Sequence, residues 1–239
     1  MRHKPSFRWA GSRRGYERGG LQVNAIGLIL SFLLLTTFGH GTAIAKPIRI
    51  LALGTSLTQG YNLPPGTDFT AVLQARLRKA GLDVVVVNAG VSGDTSADGL
   101  ARLDWALVDP YDGAIVEFGS NDALRGLDVA KTDANLDAIL VKLKAKGLTV
   151  LLAGMKAPRN LGPEYVAAFD KLYPGLAKKY DVLFYPFFLD GVAADLKFNQ
   201  ADGIHPNEAG TQIIVSRMLP FVEKLVARIK AKTASAATN

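Results

Sequence analysis

The sequence predicts an α/β protein, a three-layer α/β/α fold around a doubly wound, five-stranded parallel sheet. Three observations predict it. Short, almost continuous apolar runs recur along the chain, segments with helical periodicity lie between them, and small polar residues gather directly after the runs.

The runs are IRILAL at 48–53, DVVVVN at 83–88, GAIVEF at 113–118, LTVLLA at 148–153 and VLFYPF at 182–187. Each is too short for a helix and apolar on both faces, the pattern of strands buried in a parallel sheet. Between the first two, Phe69, Val72, Leu73, Leu77 and Ala80 share a helical face, and Gly81 ends it. Leu136, Ile139, Leu140 and Leu143 form a second face that stops at Gly147. Ile214, Met218, Phe221, Leu225 and Ile229 form a third, interrupted by Pro220, which is expected to kink or restart that helix. The alternation implies right-handed βαβ units in one domain over 46–231, followed by a flexible tail at 232–239.

The first 45 residues read as a cleaved export signal. Six basic residues precede the apolar run AIGLILSFLLLTTFG at 25–39, and Ala43-Ile44-Ala45 supplies small residues for cleavage before Lys46. As a helix the run reaches only about 22 Å, short of a hydrocarbon core of about 30 Å. The reading is therefore a periplasmic or secreted protein with no stable membrane anchor after cleavage. Of 28 Lys and Arg and 21 acids, residues 1–45 hold six and one, leaving 22 and 20 beyond. So nearly balanced a remainder gives no sign of a nucleic-acid partner. The chain has no cysteine, which excludes disulfides, thiolate catalysis and Cys-ligated zinc.

Doubly wound sheets place their sites beyond the carboxyl ends of the strands. There the sequence has GTSLTQG after the first run, NAGVSGDTS after the second and GSNDALRG after the third, with DGIHPN before the last helix. His205 is the only histidine beyond residue 45. Asp202, three residues earlier, suits the role of fixing its tautomer, which leaves Nε2 to take a proton from a serine. Asp202 as a helix cap is the competing reading. Ser56 is a candidate nucleophile, and equally a turn serine or part of a hydroxyl loop that holds a phosphate. The Asn121 amide and the N–H of Gly90 are candidate oxyanion donors beside that of Ser56, or else turn residues. Glu117 reads as a buried carboxylate satisfied by its neighbours, and Asp94 as an N-terminal helix cap.

Together these blocks resemble the SGNH (GDSL-type) hydrolase family, whose fold is flavodoxin-like, in its bacterial thioesterase I, lysophospholipase L1 and arylesterase branch. GTSLTQGY, NAGVSGDTS, GSND and DGIHPN follow the family's four blocks in order, and GDTSADGLARL, NDALRG and 173–188 are similar as well. The resemblance implies a catalytic Ser56, Asp202 and His205, with an oxyanion hole from Ser56, Gly90 and Asn121. It implies an esterase or thioesterase acting on small acyl substrates without metal or cofactor. Loops 59–68, 123–130 and 155–164 are expected to line the acyl site, with Leu124, Met155 and Leu161 as apolar contacts. Thr55 stands where the family usually has Asp before the nucleophile. A flavodoxin-like cofactor binder and an inactive sugar- or lipid-binding relative are the rival readings.

Overall fold

The computed structural model describes residues 46–238 together with Gly11. The export signal, its cleavage site and the histidines at 3 and 40 lie outside the described residues. Five parallel strands form one sheet: β1 (Ile48–Gly54), β2 (Val84–Gly90), β3 (Gly113–Glu117), β4 (Thr149–Ala153) and β5 (Leu183–Tyr185). Their order is β2-β1-β3-β4-β5. The last strand is shorter than its apolar run because Pro186 has no N–H to continue the ladder.

The helices are α1 (Ser56–Gln59), α2 (Phe69–Lys79), α3 (Ser96–Ala101), α4 (Leu103–Ala106), α5 (Ser120–Leu124), α6 (Val129–Ala145), α7 (Pro163–Tyr180) and α8 (Glu208–Ala237). The chain passes from β1 to β2 in one direction, then crosses to β3 in the other. Right-handed crossovers then put α2 on one face and the helices after β2 on the other. Accordingly α2 packs against α8, whereas α6 packs against α3 and α7.

The strands fill the middle of the core. Ile50, Leu51, Ala52 and Leu53 of β1 are at most 1 % exposed, so both faces of that strand are covered. Leu73 and Leu77 of α2, Leu136, Ile139, Leu140 and Leu143 of α6, and Ile214, Met218, Leu225 and Ile229 of α8 are buried against it. Each such side chain contributes about 1.5–3 kcal/mol of transfer free energy. Phe221 sits at the margin, half-buried, edge-on to Tyr185 at 5.0 Å.

In the third helix, one of the two outcomes expected at Pro220 does not occur. The helix neither stops nor restarts at Pro220, which lies inside it. Pro220 and Ser216, whose carbonyl it leaves unbonded, are both exposed, so water can serve that carbonyl while buried Met218 and Val222 hold the turn. The helix also runs on to Ala237, into the segment 232–239 expected to be a flexible tail. Lys232 reaches back to the Gly147 carbonyl, and the run is rich in good helix formers. Helix α7 was hidden in the sequence by Pro163, Pro174 and Gly175, yet buried Phe169, Leu172, Tyr173 and Leu176 fasten it to the sheet.

Candidate active site

The sheet's order reverses between β1 and β3, so the crevice of a doubly wound sheet falls at their carboxyl ends. β1 ends at Gly54 and Thr55 turns the chain. The Thr55 hydroxyl accepts the Leu57 N–H at 3.4 Å, capping the short helix α1 that begins with Ser56. β3 ends at Glu117, and Asn121 follows in α5.

The loop ahead of α8 brings the other groups. Asp202 Oδ1 accepts the N–H groups of Ile204 at 2.9 Å and His205 at 3.0 Å, a tight local turn. Its Oδ2 lies 2.7 Å from His205 Nδ1. A carboxylate can only accept, so Nδ1 carries the imidazole proton and Nε2 is the acceptor. Nε2 lies 3.0 Å from Ser56 Oγ, bridging 149 positions of sequence. The three N–H partners, the His205 backbone first, then its ring, then Ile204, hold the Asp202 carboxyl down at about 2. An antiparallel bridge between Asn199 and Pro206 closes the base of the loop, and Gln200 binds it to the Tyr61 carbonyl at 2.8 Å. The Tyr61 ring lies against the His205 ring, centroids 4.6 Å apart. Asp202 is not a helix cap, since Asn207 caps α8.

Donors for a developing oxyanion are the N–H groups that no protein acceptor uses. Ser56 N–H is one among the described residues. The Asn121 amide gives one hydrogen to the Asp94 carbonyl at 2.8 Å, and the amide has a second. Gly90 is placed otherwise than expected. Its N–H donates to Asn88 Oδ1 at 2.9 Å. Its lack of a side chain serves packing, for a Cβ would lie 2.2 Å from the Gln59 nitrogen. Gly93, in the loop that follows β2 and next to the residue that Asn121 binds, has φ +86 and an N–H with no acceptor among the described residues. Two glycines three apart look alike in sequence; the hydrogen bond that Gly90 donates to Asn88 is what separates them. Asp94 does not cap α3 either. Thr95 does so, in a capping box with Asp98, while Asp94 pairs with Arg102 at 2.6 Å.

Ser56, Asn121 and His205 open onto a cavity of about 790 Å³. Leu124 and Met155 line it, as expected, but Leu161 does not: it lies in the 3-10 turn Arg159–Leu161, of which only Arg159 reaches the wall. Phe187, Leu189, Ala193, Ala194 and Ile204 add to the apolar lining. Phe187 was missed because it closes the apolar run at 182–187 and reads as the end of a strand.

A buried serine, an imidazole and a carboxylate in hydrogen-bonded series beside an apolar cavity are equipped for acyl transfer. The chain belongs to the GDSL-like lipase/acylhydrolase family, whose model matches residues 52–213. It is thereby a serine hydrolase acting on ester bonds, of the SGNH fold. Among its relatives, esterase TesA of Pseudomonas aeruginosa is 39% identical over 186 residues, covering 77% of this chain and 92% of that protein. Thioesterase 1/protease 1/lysophospholipase L1 of Escherichia coli K12 is 38% identical over 197 residues, covering 82% and 91%. The solved structure of AlinE4, an SGNH-hydrolase family esterase, is 43% identical with a TM-score of 0.65, covering 76% of this chain and 98% of that one. Family membership removes the cofactor-binding reading of the loop after β1.

Proposed function

We infer that the protein is an exported esterase or thioesterase in which Ser56, His205 and Asp202 form the catalytic triad. Ser56 Oγ attacks the carbonyl of an ester or thioester while His205 Nε2 takes its proton. Asp202 holds the imidazole in the required tautomer and stabilises the imidazolium. His205 then protonates the leaving alcohol or thiol, and water activated by the same nitrogen releases the acid from the acyl-enzyme. The oxyanion receives hydrogen bonds from the Ser56 N–H, the Asn121 amide and, in place of Gly90, the N–H of Gly93.

The single observation that carries this reading is the continuous series Ser56 Oγ, His205, Asp202, at 3.0 and 2.7 Å, opening on the apolar cavity. Export rests on the pattern of residues 1–45; no helix among the described residues is long and apolar enough to cross a membrane.

The test pairs labelling by a fluorophosphonate with turnover of p-nitrophenyl esters, acyl-CoAs, lysophospholipids and acetylated sugars. Ser56→Ala is expected to abolish labelling and to lose nearly all turnover above the background from binding. An Ser56→Ala protein that still labels or still turns over would refute the assignment.

A further inference from the structure

Glu117 closes β3 with a wholly buried carboxylate. Its hydrogen-bond partners all come from one turn. The Thr55 N–H donates to Oε2 at 2.9 Å, the Thr55 hydroxyl lies 3.1 Å from both carboxylate oxygens, and the Thr58 hydroxyl lies 2.9 Å from Oε2. Because Thr55 Oγ1 accepts from the Leu57 N–H, its own proton is directed to Glu117. Thr55 and Thr58 flank the first residues of α1, so one carboxylate grips both ends of the turn that starts with Ser56.

The strand beneath is shaped for this contact. A Cβ on Gly54 would lie 2.2 Å from Thr58 Oγ1 and 2.6 Å from Glu117 Oε2. No Lys or Arg among the described residues forms an ion pair with Glu117. Charged and titratable groups on the elements around β3 are otherwise engaged. Arg102, between α3 and α4, binds Asp94 and the Gly54 carbonyl; Tyr173 of α7 donates to the Phe118 carbonyl; and Asp122 of α5 accepts from Ser96 and Thr132. Burying a carboxylate without a cation is unfavourable, and an apolar side chain would serve the core better. A carboxylate does what an apolar group cannot: it accepts several donors from one short turn that has too few internal hydrogen bonds to hold itself.

We propose that Glu117 is a positioning residue for the nucleophile: through Thr55 and Thr58 it fixes the α1 turn, and so the direction of the Ser56 hydroxyl and N–H, without touching substrate. The role rests on the reading of Ser56 as nucleophile. It explains how Thr55, a residue without charge, serves ahead of the nucleophile: its N–H and hydroxyl are both anchored from below.

The test compares Glu117→Leu, which removes the acceptor, with Glu117→Gln, which keeps an oxygen where Thr55 N–H and Thr58 point. The readouts are the rate constant for fluorophosphonate labelling, kcat and KM. Glu117→Leu is expected to lower kcat and the labelling rate together by about tenfold or more, with KM within about threefold, and Glu117→Gln to restore both to within about threefold of the parent. Should the Leu variant fail to fold, Thr58→Val, which deletes one donor at constant volume, is expected to slow labelling by about threefold or more. A folded Glu117→Leu or Thr58→Val protein that matches the parent within twofold overturns the proposal. So does a Leu variant altered only in KM, or a Gln variant as slow as Leu. Failure of the parent itself to label would instead overturn the nucleophile reading.

Discussion

Replacing Glu117 by Gln separates the titration of this side chain from its hydrogen bonds, and the effect on stability follows from its burial. Burial pushes the Glu117 carboxyl up from 4.5 to about 7, against the opposing pull of the Thr55 N–H and the two Thr hydroxyls. The sign is that of a raised carboxyl. Below 4.5 the native and unfolded chains both hold the proton. Between 4.5 and about 7 the native chain keeps a proton that the unfolded chain releases, so stability falls as pH rises; above that window this group adds no further slope. A gap of some 2.5 units at 1.36 kcal/mol each is roughly 3 kcal/mol. Gln has no such titration. From about pH 4.5 to about pH 8.5 the Tm of Glu117→Gln is expected to gain on the parent by about 6–12 °C, at about 2–4 °C per kcal/mol for a chain of this size. Paired thermal melts at the two pH values measure the change in the gap, in which all other ionisable groups cancel. A gap that stays constant within about 2 °C would refute the reasoning, for Glu117 would then titrate alike in both states.

Two further changes probe the same end of the sheet. Asn121→Ala removes an oxyanion donor and is expected to lower kcat by about 10²–10³ with little change in KM; steady-state kinetics on a p-nitrophenyl ester decide it, and full activity would remove Asn121 from the machinery. Thr55→Asp sets a second carboxyl against that of Glu117, where the hydroxyl now lies 3.1 Å from both oxygens, so the pair must share a proton. Turnover near neutral pH is expected to change less than tenfold and the alkaline loss of Tm to steepen. A gain above tenfold would show that Thr55 leaves the nucleophile loop impaired.

The five strands were legible because a buried parallel strand must be apolar on both faces, and beyond residue 45 the short continuous apolar runs mark them out. The ends of the strands then pointed to Ser56, Asn121 and the DGIHP loop. What was not legible depends on contacts between segments distant in sequence. Asn88 decides which of the two glycines keeps a free N–H. Arg102 turns Asp94 from a cap into an ion-pair partner. The side of the cavity formed by Phe187 to Ala194 is irregular chain, without periodicity to betray which residues face inward. In α7, by contrast, local propensity pointed away from a helix and burial of Phe169 and Tyr173 overrode it.

Although Leu124 and Ile204 sit beside Asn121 and His205, most of the cavity wall rides on other parts of the chain than the reacting groups. Met155 to Arg159 and Phe187 to Ala194 follow β4 and β5, whereas Ser56 and Asn121 follow β1 and β3 and His205 arrives on its own bridged loop. Segments grafted from relatives after the fourth and fifth strands can therefore recut the shape of the acyl compartment while leaving bond-breaking intact. Substrate range in such a scaffold is free to drift faster than its chemistry.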